Sequence, residues 1–143
     1  MDAPIGKVDA ASIRREIRPD GKPSVTEYRV ERTGSGRALV SLTLHTGRTH
    51  QIRVHMASLG CPVAGDFLYG TELPELPGRF ALHSHRLRLV HPHTGRVLEL
   101  TAPMPECFTS LLDAPRSAAS PCPDAGAPQT APGCGGDPLL PDR

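Results

Sequence analysis

Apolar and polar positions alternate through residues 37–46, with Ala38, Val40, Leu42 and Leu44 on one side and Leu39, Ser41, Thr43 and His45 on the other. That period of two predicts a half-buried strand. A similar alternation precedes it over residues 25–31, where Thr26, Tyr28 and Val30 face one way and Glu27, Arg29 and Glu31 face solvent. Thr33-Gly34-Ser35-Gly36 lies between the runs and supplies turn residues, so together they predict an antiparallel hairpin. Beyond residue 46 the period changes. Ile52, Met56 and Leu59 recur at helical spacing after Thr49, a candidate N-cap, and before Gly60, a candidate helix stop. Residues 61–78 are broken by Pro and Gly and predict a loop, with Phe67, Leu68 and Tyr69 anchoring it on the core. Leu87 and Leu89 then alternate with Arg86 and Arg88, His93-Thr94-Gly95 reverses the chain, and Leu98 and Leu100 point inward from the return: a second hairpin. Residues 1–19 read only as a loop followed by a short strand or turn.

Composition narrows the class. Residues 1–112 are about the size of one domain with a real core, whereas residues 113–143 are rich in Pro, Gly and Ala, lack aromatics and predict a disordered tail. No apolar run spans a membrane and no secretion-signal layout opens the chain, so a cytoplasmic protein is expected. Cys61, Cys107, Cys122 and Cys134 form no C-x-x-C pair, which indicates neither zinc nor a disulfide framework. The net charge of +1 is positive through residue 112 and negative after it. Lys7 and Lys22 are the only lysines, so the positive charge is almost all guanidinium, suited to bidentate contact with phosphate or carboxylate.

The richest chemistry sits in residues 47–55, G-R-T-H-Q-I-R-V-H, where a strand hands over to a helix. His50 and Arg53, one turn apart, would share a face near the helix N-terminus, where free N–H groups and the dipole favour an anion. The competing reading makes them polar residues on the exposed side of an amphipathic helix. Asp66, beside Gly65, reads either as a general base or, with more weight, as a carboxylate that caps a turn or pairs with an arginine. His83-x-His85 and His91-x-His93 invite a metal site, but Pro92 interrupts the second pair and no carboxylate or thiolate completes either set, so no metal is expected.

The stretch 47–55 resembles the signature near the C-terminal end of the RluA-type family of RNA pseudouridine synthases. The likeness extends to D-G-K-P-S-V-T-E-Y at residues 20–28, P-I-G-K at 4–7, L-G-C-P-V-A-G-D-F-L-Y-G at 59–70, A-L-H at 81–83 and H-P at 91–92, in family order over residues 4–105. It implies an α+β fold: a mixed, mainly antiparallel sheet bent around an RNA-binding cleft, with one short helix after G-R-T-H-Q-I-R. It implies isomerisation of uridine to pseudouridine in rRNA or tRNA, in which the glycosidic bond breaks, the base turns and the link re-forms through carbon, with no cofactor.

By motif position, Arg53 matches the arginine that partners the family's nucleophilic aspartate. Arg48, Thr49, His50, Gln51 and His55 match neighbours expected to meet RNA. The family's H-R-L-D-x-x-T-S-G segment, which carries that aspartate, and its active-site tyrosine are not in the sequence; His85-Arg86-Leu87 is followed by Arg88 instead. The chain therefore resembles the C-terminal half of a catalytic domain. It is expected to be inactive alone, with the missing N-terminal half or self-association as its partner, or else to be a catalytically dead RNA-binding or structural remnant. Cys61 stands where relatives often have histidine.

Overall fold

The computed structural model describes residues 1–114. Its elements run β1 (Ile5–Lys7), β2 (Arg15–Ile17), β3 (Thr26–Gly34), β4 (Arg37–Leu44), α1 (Gln51–Ser58), β5 (Arg86–Val90), β6 (Val97–Thr101) and α2 (Glu106–Asp113). The class is α+β, as expected, and strands pair β1 with β2, β3 with β4 and β5 with β6, each antiparallel. Isolated bridges from Asp2 to Val25 and from Ile5 to Lys22 tie the N-terminal segment to the start of β3. The expected domain boundary at residue 112 falls within α2, and residues 115–143, expected to be disordered, lie outside the described part.

The first predicted hairpin forms, with Thr26 opposite Leu44 and Gly34 opposite Arg37. Its turn is shorter than the four-residue cluster suggested: Ser35 and Gly36 alone reverse the chain, with φ of 47° and 67°, the pair of positive angles that matches strand twist. A bulge between Val30 and Arg32 breaks the alternation at Glu31. Thr26 is buried but Tyr28 and Val30 on the same predicted face are exposed, because nothing among the described residues covers that end of the face. The opposite end is covered by α2, an element the sequence reading did not predict. Arg37 Nη1 donates to the carbonyl of Leu111 at 2.8 Å, and Arg32 meets Asp113 at 2.9 Å. Leu111 and Leu112 are buried.

Helix α1 stops where Gly60 predicted. Gly60, at φ 75°, donates its N–H to Ala57 O at 2.9 Å, and Cys61 N–H reaches back to Met56 O at 3.0 Å, the paired bonds that close a helix on a left-handed residue. The second hairpin also forms, with Leu87 opposite Leu100 and Leu89 opposite Leu98. Its sidedness was legible, its burial was not: Leu87, Leu98 and Leu100 are exposed at 48%, 36% and 54% rather than inward. Phe67, expected as an anchor, is likewise 57% exposed, and Leu76 takes that place in the core.

The buried apolar residues are Ile5, Val54, Leu76, Leu111 and Leu112, and they share the interior with Ser24, Thr26, Gln51, Arg53, His55 and Asp66. The interior is thus held by hydrogen bonds as much as by apolar contact, less of a hydrophobic core than chain length alone suggested. The uncovered leucines of β5 and β6 form a contiguous apolar face, and such faces recruit other surfaces. Light scattering is expected to show concentration-dependent self-association, and Leu87→Lys with Leu100→Lys should reduce it. A monodisperse monomer at all concentrations would contradict this.

Candidate functional site

The chain leaves β4 and enters α1 through a bracket built by one amide. Gln51 Oε1 accepts from the Thr46 hydroxyl at 2.8 Å and from Arg48 N–H at 2.9 Å, while its Nε2 donates to Val25 O at 2.9 Å and Thr26 Oγ1 at 3.0 Å. Glutamine supplies both donors and acceptors at that reach, so it fixes residues 46–51 against β3. His55, fully buried, does a similar job one turn on: Nε2 lies 3.0 Å from Ala3 O and Nδ1 2.9 Å from Thr26 Oγ1. A carbonyl only accepts, so Nε2 carries the hydrogen there. Gln51 and His55, expected at the RNA surface, are therefore internal brackets with every polar atom engaged.

His50, and not Thr49, occupies the N-cap position, and it does so in the left-handed conformation at φ 59° without a side-chain cap. His50 is half in the helix, its carbonyl accepting Val54 N–H at 2.9 Å, and it shares a side with Arg53 at Tyr69 rather than capping α1 with its ring. Its ring turns instead to Tyr69, with Nδ1 2.8 Å from the phenol oxygen and the rings edge to face at 5.6 Å. Burial, followed by the Arg53 and Arg15 charges, moves the His50 pKa below its ordinary 6.5, against the opposing pull of Asp66. Arg48 and Thr49 remain at the surface, Arg48 with Nε on Pro23 O at 3.2 Å.

An anion does belong beside Arg53, and the protein supplies it. Asp66 Oδ2 accepts from Arg53 Nε and Oδ1 from Nη2, both at 2.7 Å, a bidentate pair with side-chain exposures of 9% for the arginine and none for the aspartate. Asp66 Oδ1 also accepts the N–H groups of Leu68 and Tyr69 at 2.9 and 3.0 Å. Asp66 thus caps a turn and pairs with an arginine at once, the weightier of its two sequence readings. Gly65 admits this turn because its φ is 81° and a Cβ there would lie 2.6 Å from Arg79 O. Burial alone would raise the Asp66 pKa, but the Arg53 hydrogen bond, the two N–H groups and the Arg53 charge outweigh it and hold the carboxyl below its ordinary 3.8. Aromatic rings cage the guanidinium, with Phe80, Tyr69 and Phe67 centroids at 4.6, 5.0 and 5.6 Å. Arg53 Nη1 makes no hydrogen bond to any described residue.

The sequence reading placed Tyr69 in the core and left out Phe80 and the main chain of Arg15, all of which meet at this site. Tyr69 follows Asp66 by three residues in the G-D-F-L-Y-G stretch, which was the available signal. The histidine pairs have other tasks. His83 and His85 both reach Ala102 O, at 3.4 and 2.7 Å, and His91 Nδ1 accepts from the N–H groups of His93 and Thr94.

Comparison with known proteins gives these residues a context. The family model described as RNA pseudouridylate synthase matches residues 1–58, which include β1 to β4 and α1. An uncharacterized RNA pseudouridine synthase of Bacillus subtilis, YjbO, is 45% identical over 112 residues, 78% of this chain and 39% of the relative. Ribosomal large subunit pseudouridine synthase D of Nitrosomonas europaea is 42% identical over 126 residues, 82% of this chain and 36% of the relative. The solved structure of Human RNA Pseudouridylate Synthase Domain Containing 1 superposes with a TM-score of 0.57 at 29% identity, over 86% of this chain and 60% of that one. The chain spans under two fifths of the length of these two curated relatives.

The Arg53–Asp66 pair sets a pH dependence. A carboxyl whose folded pKa lies below its unfolded value contributes stability above the unfolded value and loses it as pH falls through the folded one. Urea unfolding should therefore show stability falling below about pH 4. Asp66→Asn should cost about 3 kcal/mol at pH 7, since it leaves a buried guanidinium uncompensated, and should flatten that acid limb. An unchanged acid limb in Asp66→Asn would remove Asp66 as its source.

Proposed function

Because the chain belongs to the RNA pseudouridine synthase family of the RluA type, we propose that it forms the C-terminal part of a site that converts uridine to pseudouridine in RNA. The reaction is an isomerisation: the bond from the sugar to the base nitrogen breaks, the base turns, and the sugar bonds to a ring carbon, whose hydrogen leaves as a proton while the freed nitrogen gains one. It needs a carboxylate held ionised and aimed, and no redox partner.

The observation that carries this reading is the Arg53 guanidinium, fixed by Asp66 on one edge, enclosed by three aromatic rings and without a hydrogen bond at Nη1 to any described residue. A cation held this rigidly can meet a second carboxylate in one geometry, which is what a nucleophilic aspartate requires. That aspartate comes from outside these 143 residues, in an N-terminal half of the catalytic domain, the partner whose docking completes the site. Asp66 does not fill the role: its oxygens are saturated by Arg53 and two main-chain N–H groups, and it is shut from solvent.

RNA meets Arg48, Thr49 and His50, the members of the 47–55 stretch that keep surface access. The substrate is rRNA or tRNA; relatives named for the large ribosomal subunit support rRNA. The setting is cytoplasmic, and no described helix is long and apolar enough to cross a membrane.

The test is to incubate RNA with this chain, with a donated N-terminal half carrying H-R-L-D, and with both, and then to map pseudouridine chemically. Product is expected only from the mixture, and Arg53→Ala should lower it about 100-fold through misplacement of the nucleophile. Arg48→Ala should weaken RNA binding across sequences and reduce its salt dependence. Product from this chain alone would overturn the assignment of roles.

A further inference from the structure

Tyr69 stands between two main-chain-fixed points. Its phenol oxygen accepts the N–H of Arg15 at 2.8 Å, from β2, and lies 2.8 Å from His50 Nδ1, at the mouth of α1. An amide N–H can only donate, so one lone pair of the phenol is committed to Arg15. The phenol's own hydrogen then has one acceptor within reach, His50 Nδ1, and in the opposite arrangement that hydrogen would have no partner among the described residues. The assignment that satisfies every group puts Nδ1 as acceptor and the ring hydrogen on Nε2. His50 Nε2 has no hydrogen-bond partner among the described residues, and no buried side-chain nitrogen lacks one, so Nε2 reaches solvent. The left-handed backbone at His50 is the departure from helix geometry that aims the ring at Tyr69 instead of along α1.

The charges around the ring agree. Arg15 from β2 and Arg53 from α1 disfavour a proton on His50, as does burial, and Asp66 from the loop only partly offsets them. Arg14 and Arg53 both lie over the Tyr69 ring, at 5.8 and 5.0 Å from its centroid, so the phenol sits among cations.

We propose that Tyr69 is a positioning residue for His50: its phenol holds Nδ1 as an acceptor and thereby presents Nε2–H as a neutral donor to a backbone oxygen of RNA, a phosphate or ribose hydroxyl, beside Arg53. This deepens the RNA reading above and rests on it for the identity of the acceptor. The hydrogen-bonded tie between Tyr69 and His50 does not.

Two measurements separate them. In the full chain labelled with ¹⁵N-histidine, long-range proton–nitrogen correlation should show His50 with a bare Nδ1 and a hydrogen on Nε2 at pH 7, titrating below 6.5. Tyr69→Phe, which keeps the ring, should raise that midpoint and mix the tautomers. Binding of a structured RNA hairpin at low salt should weaken about fivefold in Tyr69→Phe, the size of one lost hydrogen bond. In a His50→Asn background, where asparagine tolerates the same backbone angle, adding Tyr69→Phe should change nothing further. A hydrogen on Nδ1 in the wild type, or a Tyr69→Phe effect that persists in full without His50, overturns the proposal. A wild-type chain that binds no hairpin sinks the RNA reading and the outward donor with it, while the spectra still decide the tie between the two rings.

Discussion

The Arg53–Asp66 pair is the interaction on which the rest of this site depends. Burying a guanidinium and a carboxylate costs several kcal/mol each, and only close geometry with further hydrogen bonds recovers it. Here the fork is bidentate at 2.7 Å, the carboxylate takes two more main-chain N–H groups, and three rings surround the cation. The consequence is structural before it is chemical. The pair fastens the loop of residues 61–78, which has no helix or strand of its own, onto α1, and so brings Tyr69 and Phe67 to the helix that carries Arg53. The brackets made by Gln51 and His55 then fix that helix against Thr26 and the N-terminal segment.

What was legible in the sequence was local. Period-two alternation gave β3, β4, β5 and β6, and Gly60 gave the end of α1, because these depend on residues near one another in the chain. The helix start was misplaced by one residue, since His50 takes the N-cap position at φ 59° with no side-chain cap, an arrangement that capping propensity does not foretell. The short pairing of β1 with β2 and the helix α2 were missed because their stability comes from contacts distant in sequence, such as Arg37 with Leu111 and Arg32 with Asp113. Burial was the weakest reading. Alternation tells which residues share a face, and Leu87, Leu98 and Leu100 do share one, but it cannot tell whether anything lies against that face.

The site shows the same division. The nine-residue stretch 47–55 was recognisable by its types, yet its members separate into three kinds once placed: surface groups at Arg48 and Thr49, internal brackets at Gln51 and His55, and a caged cation at Arg53 with His50 at its edge. With so many polar groups buried in so small an interior, bonds satisfied one for one give the buried cation its rigidity at the expense of apolar burial.

The most direct test is a double-mutant cycle in urea unfolding at pH 7, comparing Arg53→Met, Asp66→Leu and the double replacement with the wild type. If the pair organises loop and helix as described, each single change destabilises strongly, the double is less damaging than the sum, and the coupling is about 2 kcal/mol or more. Additive effects, with coupling within about 0.5 kcal/mol of zero, would contradict it.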